Sequence, residues 1–245
     1  MKKKDIIDKL KDDNNYYGDF GRRYLSNSDI SVLLNSPKKF RKYEDAKETL
    51  AMVQGRYFHT AMLEPEKLDN FGVVDASTRN TKVYKESINN GEIVLLKKEV
   101  DNLNKMVDTM KSNKKIYEMI YNGCNQYEVP GITTLLDIEW KGKADIVSND
   151  CLIDIKTTSS ISDFKWSARK YNYDSQAYIY KQIFGKPMVF VVIDKSSMDM
   201  GIYRPTEEFL LGGREKVFNA VLVYNKFFSQ NPTEDIQQYV YEGEL

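Results

Sequence analysis

Residues 142–158 read GKADIVSNDCLIDIKTT, and their mixture of β-branched and alternating polar residues predicts a β-hairpin. Asn149 and Asp150 tolerate the positive φ angles that a two-residue hairpin loop requires. With this loop, Asp145 lies directly opposite Asp154. Two carboxylates some 5 Å apart repel by roughly 3 kcal/mol at an effective dielectric constant of about 20. Because a divalent cation between them would offset this repulsion, the hairpin indicates a metal site.

Alternation along the two strands assigns the hairpin residues to two faces of a sheet. The face with the acids contains Lys143, Asp145, Val147, Leu152, Asp154 and Lys156. The opposite face, which we expect to pack on the core, contains Ala144, Ile146, Ile153 and Ile155. On this arrangement Lys143 lies opposite Lys156, beside the acidic pair. A solvated antiparallel face with a lattice of aspartates and lysines would show the same pattern without a metal, so that alternative stays open.

The composition indicates a globular protein without a strong overall charge. The chain has 245 residues, of which 41% are hydrophobic, so it can bury the core of one large domain or of a domain with an appendage. No repeat or linker marks a boundary, and we predict a single domain over residues 1–245. Lys plus Arg and Asp plus Glu number 36 each. Any nucleic-acid binding must therefore use a local patch.

Cysteine usage and the N-terminal segment bear on the compartment. The two cysteines, Cys124 and Cys151, exclude a disulfide framework and a cysteine-ligated zinc or iron–sulfur site, which fits a reducing cytoplasm. The segment MKKKDIIDKLKDD lacks the apolar stretch of a signal peptide. No run approaches about 18 apolar residues. We therefore expect a cytoplasmic protein that is neither secreted nor membrane-spanning and has no membrane partner.

Capping residues and helical spacing predict helices in the N-terminal half, with a short strand between them. The expected elements are a helix with the N-cap Ser28 that stops at Pro37, a helix near 46–63 that ends before Pro65, a strand at 71–74, and a helical region at 80–122.

From residue 125 the hydrophobic period becomes that of strands. Turn-forming residues at Pro130–Gly131, Gly142 and Asn149–Asp150 separate successive strands, which predicts an antiparallel meander. The elements expected after it are helices at 162–170 and 173–184, strands at 188–194 and 200–204, and a helix at 206–228. The predicted class is mixed α/β (α+β), a mixed central sheet flanked by helices, with a helical N-terminal part at about 1–122 and a sheet-centred core at about 123–230.

Four motifs in this order resemble the PD-(D/E)xK nuclease superfamily in its RecB-like branch. Asp145, eight further residues and then DIK at 154–156 resemble the core in which an Asp and an Asp/Glu-x-Lys lie on adjacent strands. The two threonines that follow resemble the D-x-K-T-T of RecB-like members, and Gln176 with Tyr180 matches their Q-x-x-x-Y helix motif. GRYFHTAMLEP at 55–65 resembles the G-x-x-x-H-x-x-x-L-E-P segment of RecE-type (exodeoxyribonuclease VIII-like) phage and prophage exonucleases.

The resemblance covers about residues 26–205 and implies a PD-(D/E)xK restriction-endonuclease-like fold with Mg²⁺-dependent deoxyribonuclease activity. It implies an end-dependent exonuclease that acts on linear double-stranded DNA and exposes single strands for phage-type recombination or repair. The implied partners are DNA, a single-strand annealing protein and further copies of the chain in a ring-like oligomer, in the cytoplasm of a bacterium or a phage-infected cell. The alternatives are an endonuclease or a single-strand-specific nuclease of the same fold, and a non-catalytic DNA-binding module.

By resemblance, the metal ligands are His59, Asp145, Asp154, the main-chain carbonyl of Ile155 and, as an additional acid, Glu128. They would hold one or two Mg²⁺ or Mn²⁺ ions, with the imidazole adding a nitrogen to a carboxylate-rich site. Relatives with an iron–sulfur cluster use four cysteines, which two cysteines exclude here. Asp137 and Glu139 compete with Glu128 for its role. A single histidine on an apolar helix is also often a packing residue.

The resemblance assigns catalytic roles to Asp145, Asp154, Lys156, Gln176 and Tyr180. Lys156 would orient or deprotonate the attacking water or neutralise charge on the phosphate, although a plain salt bridge is an alternative. Gln176 and Tyr180 are spaced i, i+4 and share one helix face, which also occurs by chance on surface helices. The candidate DNA-binding residues are Gln176, Tyr180, Arg56, Lys165, Trp166 and Arg169.

Overall fold

The computed structural model describes residues 1–42, 48–88 and 92–241, which form a mixed sheet with helices on both sides. The strands of these residues are β1 Val73–Val74, β2 Leu95–Leu96, β3 Gln126–Leu135, β4 Ile138–Val147, β5 Leu152–Thr158, β6 Met188–Asp194 and β7 Met200–Tyr203. Their α-helices are α1 Lys3–Leu10, α2 Asp13–Tyr17, α3 Asn27–Asn35, α4 Leu50–Leu63, α5 Lys82–Ser87, α6 Lys97–Ser112, α7 Lys114–Ile120, α8 Phe164–Lys170, α9 Tyr173–Phe184 and α10 Glu207–Phe227. None of these helices is long and apolar enough to cross a membrane.

The central sheet has the strand order β3-β4-β5-β6-β7. β5 and β6 run parallel, whereas the other neighbouring strands are antiparallel. A parallel pair needs a crossover connection, and α8 and α9 provide it. The mixed α/β class and the meander from β3 to β5 are thus confirmed.

The first hairpin of the meander turns at Leu136–Asp137, and the breaks predicted at Pro130–Gly131 and Gly142 are wrong. Both predicted breaks lie inside strands. β3 is an edge strand, where a proline can be accommodated. Gly142 pairs with Gly131, and a Cβ atom on Gly142 would lie 2.6 Å from Cε1 of Tyr180. The glycines are therefore required by the close approach of α9 to the sheet, because a larger side chain would collide with that helix.

The register predicted for β4 and β5 is confirmed at two pairs, Ile146 with Ile153 and Val147 with Leu152. Beyond these pairs the two strands separate, and the ladder reaches neither the predicted Asp145–Asp154 pair nor the predicted Lys143–Lys156 pair. At the point of separation, Asp145 Oδ2 accepts a hydrogen bond from the Ile155 N–H at 2.9 Å. The Asp145 carboxylate thereby takes the place of a main-chain acceptor and is fixed between the diverging strands.

Asn149–Asp150 forms the hairpin loop, but neither residue has the positive φ angle that was expected. A side chain closes the loop instead. Ser148 Oγ donates to the Cys151 carbonyl at 2.8 Å and accepts a hydrogen bond from the Cys151 N–H at 3.1 Å. These bonds hold the two strand ends together without a left-handed turn.

Helices cover both faces of the sheet, which corrects the expectation of one core face. Ile146, Ile153 and Ile155 share one buried face as predicted and pack with α4, α6 and α7, whereas Ala144 packs in the opposite layer with α3, α9 and α10. The pairing of β3 with β4 skips one position, which interrupts the alternation of faces. Asp154, on the face predicted to carry the acids, is 0% exposed, so the solvated-face alternative is wrong.

α3 begins at Asn27, and its N-cap is Ser26 and not Ser28. The Ser26 N–H donates to Asp29 Oδ2 at 2.7 Å and completes a capping box, which Ser28 has no acid in the right position to form.

The helix predicted near 46–63 begins at Leu50, with Thr49 as its N-cap, and the first residues of the prediction lie outside the described part of the chain. The region predicted as helical over 80–122 also contains β2, which pairs in parallel with β1. This pairing overrides local helical spacing, because β2 is buried between β1 and α6.

Candidate active site

Three predicted ligand residues from different elements meet at one edge of the diverging strands. They are His59 on α4, Glu128 on β3 and Asp145 on β4, and their ligand atoms lie within 4.8 Å of one another. His59 Nε2 lies 2.9 Å from Asp145 Oδ2, and His59 Nδ1 lies 3.6 Å from Glu128 Oε1. This arrangement of one imidazole and two carboxylates has the ligand chemistry of a divalent-cation site.

Glu128 reaches this cluster because β3 is irregular at that residue. Its φ angle is 51°, in the left-handed region, and the β3–β4 pairing skips Glu128 and Asp145. Of the competing acids, Asp137 lies in the exposed turn and Glu139 is also exposed. The structure therefore places Glu128, and neither of the other two, beside His59.

Asp154 and Lys156 form a second, adjoining group. Lys156 Nζ lies 2.6 Å from Asp154 Oδ2, and Gln176 Nε2 donates to Asp154 Oδ1 at 2.6 Å. Asp154 Oδ1 thus accepts a hydrogen bond, whereas Oδ2 has an ion-pair partner but no hydrogen-bond donor within the described residues, and Asp154 does not join the three-ligand cluster. The Ile155 N–H is bound to Asp145, and the role of the Ile155 carbonyl stays a prediction.

α9 presents three residues of one face to this group. Tyr180 Oη donates to the Lys143 carbonyl at 3.0 Å, so the tyrosine anchors β4 and is mostly buried. The ring of Tyr173 lies under the Lys156 ammonium, with 4.9 Å between Nζ and the ring centroid. Tyr173, Gln176 and Tyr180 follow the i, i+3, i+7 spacing of one helix face. Tyr173 was not among the residues predicted for the site, although its helical spacing ahead of Gln176 could have indicated it.

In the metal-free protein, the charges and burial of the three-ligand cluster favour the protonated forms of His59 and Glu128. Burial lowers the pKa of His59, but the charge of Asp145, its hydrogen bond and the charge of Glu128 together raise that pKa to about 9. Burial raises the pKa of Glu128 to about 7, against the opposing charge of His59. At neutral pH the imidazole is therefore charged and Glu128 is partly protonated.

In the adjoining group of Asp154 and Lys156, the lysine stays positively charged. Burial raises the pKa of Asp154 to about 6, and the negative charge of Asp145 adds to this shift. Burial would lower the pKa of Lys156, yet the charges of Asp154 and Asp145 raise it above its usual range. His59, Lys156 and the Ile155 N–H outweigh burial and lower the pKa of Asp145. Lys156 is therefore a fixed positive charge, which suits charge neutralisation better than proton abstraction.

The predicted DNA-binding side chains on the surface do not all remain free. Arg56 pairs with Glu48, and Arg169 Nη2 lies 3.0 Å from Glu208 Oε1. Trp166 is 77% exposed and Lys165 is also exposed. The structure thus leaves Lys165 and Trp166 available to a ligand, and it ties both arginines to acids.

Comparison with known proteins supports the fold. No curated protein is significantly similar to this chain in sequence. Residues 28–233 match the family described as a PDDEXK-like domain of unknown function (DUF3799). The chain belongs to this family. The matched residues of this PDDEXK-like chain include the His59 helix, β3 to β7 and all of α10, and the superfamily expected from the motifs is confirmed.

One solved structure shares the fold of this chain, and another is less similar. An Eubacterium rectale protein, provisionally described as an exonuclease, has a TM-score of 0.67 at 19% identity, over 87% of this chain and 85% of that one. A phage-related exonuclease from Haemophilus somnus 129PT has a TM-score of 0.36 at 16% identity, over 82% of this chain and 93% of that one. The first similarity shows a common fold.

Proposed function

We propose that this PDDEXK-like protein is a metal-dependent deoxyribonuclease that hydrolyses phosphodiester bonds. The observation that carries the proposal is the convergence of His59, Glu128 and Asp145 beside the buried Asp154–Lys156 pair. Two buried carboxylate oxygens of this site, Glu128 Oε1 and Asp154 Oδ2, accept no hydrogen bond within the described residues. Both oxygens could therefore serve as metal ligands.

The donor set fits Mg²⁺ or Mn²⁺. His59, Glu128 and Asp145 would hold the ion, because they combine carboxylate oxygens with one nitrogen in a partly buried site. A further ion would use Asp154, whose Oδ2 lies 2.6 Å from the Lys156 ammonium and accepts no hydrogen bond within the described residues. A bound divalent cation supplies polarisation of the scissile phosphate and a lower pKa for the attacking water.

The remaining residues of the site bind and orient the reacting groups. Lys156, held by Asp154 and by the Tyr173 ring, would neutralise charge that develops on the phosphate. Gln176 fixes the Asp154 carboxylate, and Tyr180 fixes the main chain of β4 two residues before Asp145. In this proposal the two α9 residues are positioning residues and do not contact DNA directly.

The finer proposal is an end-dependent exonuclease on linear duplex DNA. It rests on the resemblance of residues 55–65 to RecE-type exonucleases. The proposal includes a role in phage-type recombination, an annealing-protein partner, assembly with further copies of the chain, a cytoplasmic location and a single domain over residues 1–245.

The purified chain should degrade linear duplex DNA in Mg²⁺ and stop completely in EDTA, because the phosphate charge is then uncompensated. Covalently closed circular DNA of the same sequence should stay intact. Duplexes labelled separately at each 5′ and 3′ end then give the polarity. Cleavage of the circular DNA would show that the activity is that of an endonuclease and not of an end-dependent exonuclease. If the protein hydrolyses no DNA in Mg²⁺ or Mn²⁺, the nuclease proposal is wrong.

Metal binding should release protons, because a coordinating imidazole must be neutral whereas His59, with a pKa of about 9, is charged at pH 7. Glu128, with a pKa of about 7, adds to the release near neutrality. The apparent affinity for Mn²⁺ should therefore rise with pH between about 6.5 and 9. Calorimetric titration in buffers of different ionisation enthalpy measures the protons released. His59→Gln should release fewer protons than the parent, and equal release from both would contradict this ligand.

A further inference from the structure

The surface beside Lys156 carries several aromatic and basic side chains, most of them exposed. Trp166 is 77% exposed, the largest exposed fraction among the large apolar side chains of the described residues, and Tyr171 is 59% exposed. We name Trp166, Lys170, Tyr171 and Tyr173 the α8 strip. A contiguous patch of exposed apolar side chains with polar side chains around it often marks an interaction site.

Direct contacts connect the α8 strip to the catalytic group. The Tyr173 ring lies 4.9 Å from Lys156 Nζ, and the Tyr171 and Tyr173 ring centroids are 6.2 Å apart. Lys170 Nζ lies 6.0 Å from the Tyr171 ring centroid. Trp166 is one helical turn before Lys170, so the two share a face of α8. The series therefore leads from Lys156 to the outer surface of the molecule.

The packing of α8 directs this face outwards. Phe164 and Ala168 are buried in the core, 2% and 3% exposed, which places Trp166 on the opposite side of the helix. Lys165 and Lys170 are exposed, and neither has an acid within ion-pair distance among the residues that the structure describes. The strip thus combines aromatic rings with unpaired positive charge.

We propose that the α8 strip binds a single DNA strand next to the active site. Bases stack on Trp166 and Tyr171, and the phosphates lie near Lys165 and Lys170. Stacking selects unpaired bases, because in a duplex the base faces are already covered by neighbouring base pairs. The identification of DNA as the polymer rests on the proposed nuclease function, whereas the preference for a single strand rests on the aromatic rings of the strip.

The two tryptophans of the chain make a direct test available. Trp140 is 0% exposed, so a base that quenches tryptophan fluorescence reports on Trp166. The full chain is titrated with oligo(dT) in EDTA, which prevents hydrolysis. We expect saturable quenching by oligo(dT) and much weaker quenching by a blunt duplex of equal length. Trp166→Phe should retain the Trp140 emission and lose the quenching.

Affinity measured by anisotropy of labelled oligo(dT) separates stacking from charge. Trp166→Ala and Tyr171→Ala should each weaken binding about tenfold, the effect typical of one stacked base. Lys170→Ala should reduce the slope of log K against log salt by about 0.7, as expected for one lost phosphate contact. Phe218→Ala on α10 is the matched control, since Phe218 is also an exposed aromatic, and it should bind like the parent.

The outcomes distinguish the strip from the nuclease. DNA hydrolysis without quenching of tryptophan fluorescence would contradict DNA binding by the α8 strip and leave the proposed nuclease activity unaffected. Equal affinities of Trp166→Ala and Phe218→Ala for oligo(dT) would do the same. Fluorescence quenching by oligo(dT) in a protein that hydrolyses no DNA would support single-strand binding by the α8 strip and contradict the nuclease activity. If a blunt duplex quenches the fluorescence and excess oligo(dT) does not displace it, the preference for single strands would also be contradicted.

Discussion

Asp145→Asn should slow DNA hydrolysis by at least about 10²–10³-fold, the loss typical of removing one electrostatic partner of the transition state. The amide has nearly the same shape and its oxygen can still accept the hydrogen bond from the Ile155 N–H. It cannot supply an anionic ligand beside His59 and Glu128, so metal affinity and turnover should fall together. Initial rates on linear duplex and calorimetric titration with Mn²⁺ measure the two effects.

The same substitution should lower the pKa of His59. Burial alone lowers this pKa, and the charge of Asp145 is the main opposing influence that raises it to about 9. Because His59 is the only histidine in the chain, its imidazole resonances in NMR need no assignment by mutation. A metal-free parent that titrates near pH 9 and a variant that titrates lower would agree with the site described above.

Asp137→Asn is the matched control for Asp145→Asn. Asp137 lies in the exposed turn between β3 and β4 with a φ angle of 61°, which asparagine also adopts readily. The control should keep the parental rate, metal affinity and His59 titration. Full activity of Asp145→Asn under saturating Mg²⁺ would remove Asp145 from the proposed mechanism.

Lys156→Met should also slow hydrolysis about 10²–10³-fold, and it should destabilise the fold. Asp154 is 0% exposed, and Lys156 is its cation at 2.6 Å. Removal of one partner of a buried ion pair typically costs about 3–5 kcal/mol, because the other charge is left without compensation. Denaturant unfolding and initial rates measure the two losses separately.

A double variant separates stability from catalysis. Asp154→Asn combined with Lys156→Met removes both charges, so stability should recover relative to Lys156→Met alone. Hydrolysis should not recover, because the cation near the phosphate is still missing and Asp154 can no longer serve as an anionic ligand. Lys105→Met, on the exposed face of α6, is the control and should match the parent in both measurements. If the double variant regains hydrolysis, Lys156 serves only as the ion-pair partner of Asp154 and has no catalytic role.

The sequence was most informative where a local pattern dominates. Seven consecutive apolar and acidic residues predicted β6, and the structure has the strand at Met188–Asp194 with all seven side chains buried. The turn prediction at Gly142 was wrong, because a glycine that admits Tyr180 and one that forms a turn look the same in sequence. A glycine in the sequence indicates that the position has no side chain, but it does not show whether a turn or a neighbouring side chain such as Tyr180 requires this.

The sequence by itself determined the PDDEXK-like family, the mixed sheet and the register of the two β4–β5 pairs next to the hairpin loop, since hairpin pairing and motif order depend on neighbours along the chain. Only the tertiary structure decided how the charged groups divide. Glu128 joins His59 and Asp145, while Asp154 turns to Lys156 and Gln176. The physical reason is that ion pairs and ligand clusters depend on distances of a few ångströms between elements far apart in sequence, and those distances are set by the packing of α4 and α9 on the sheet.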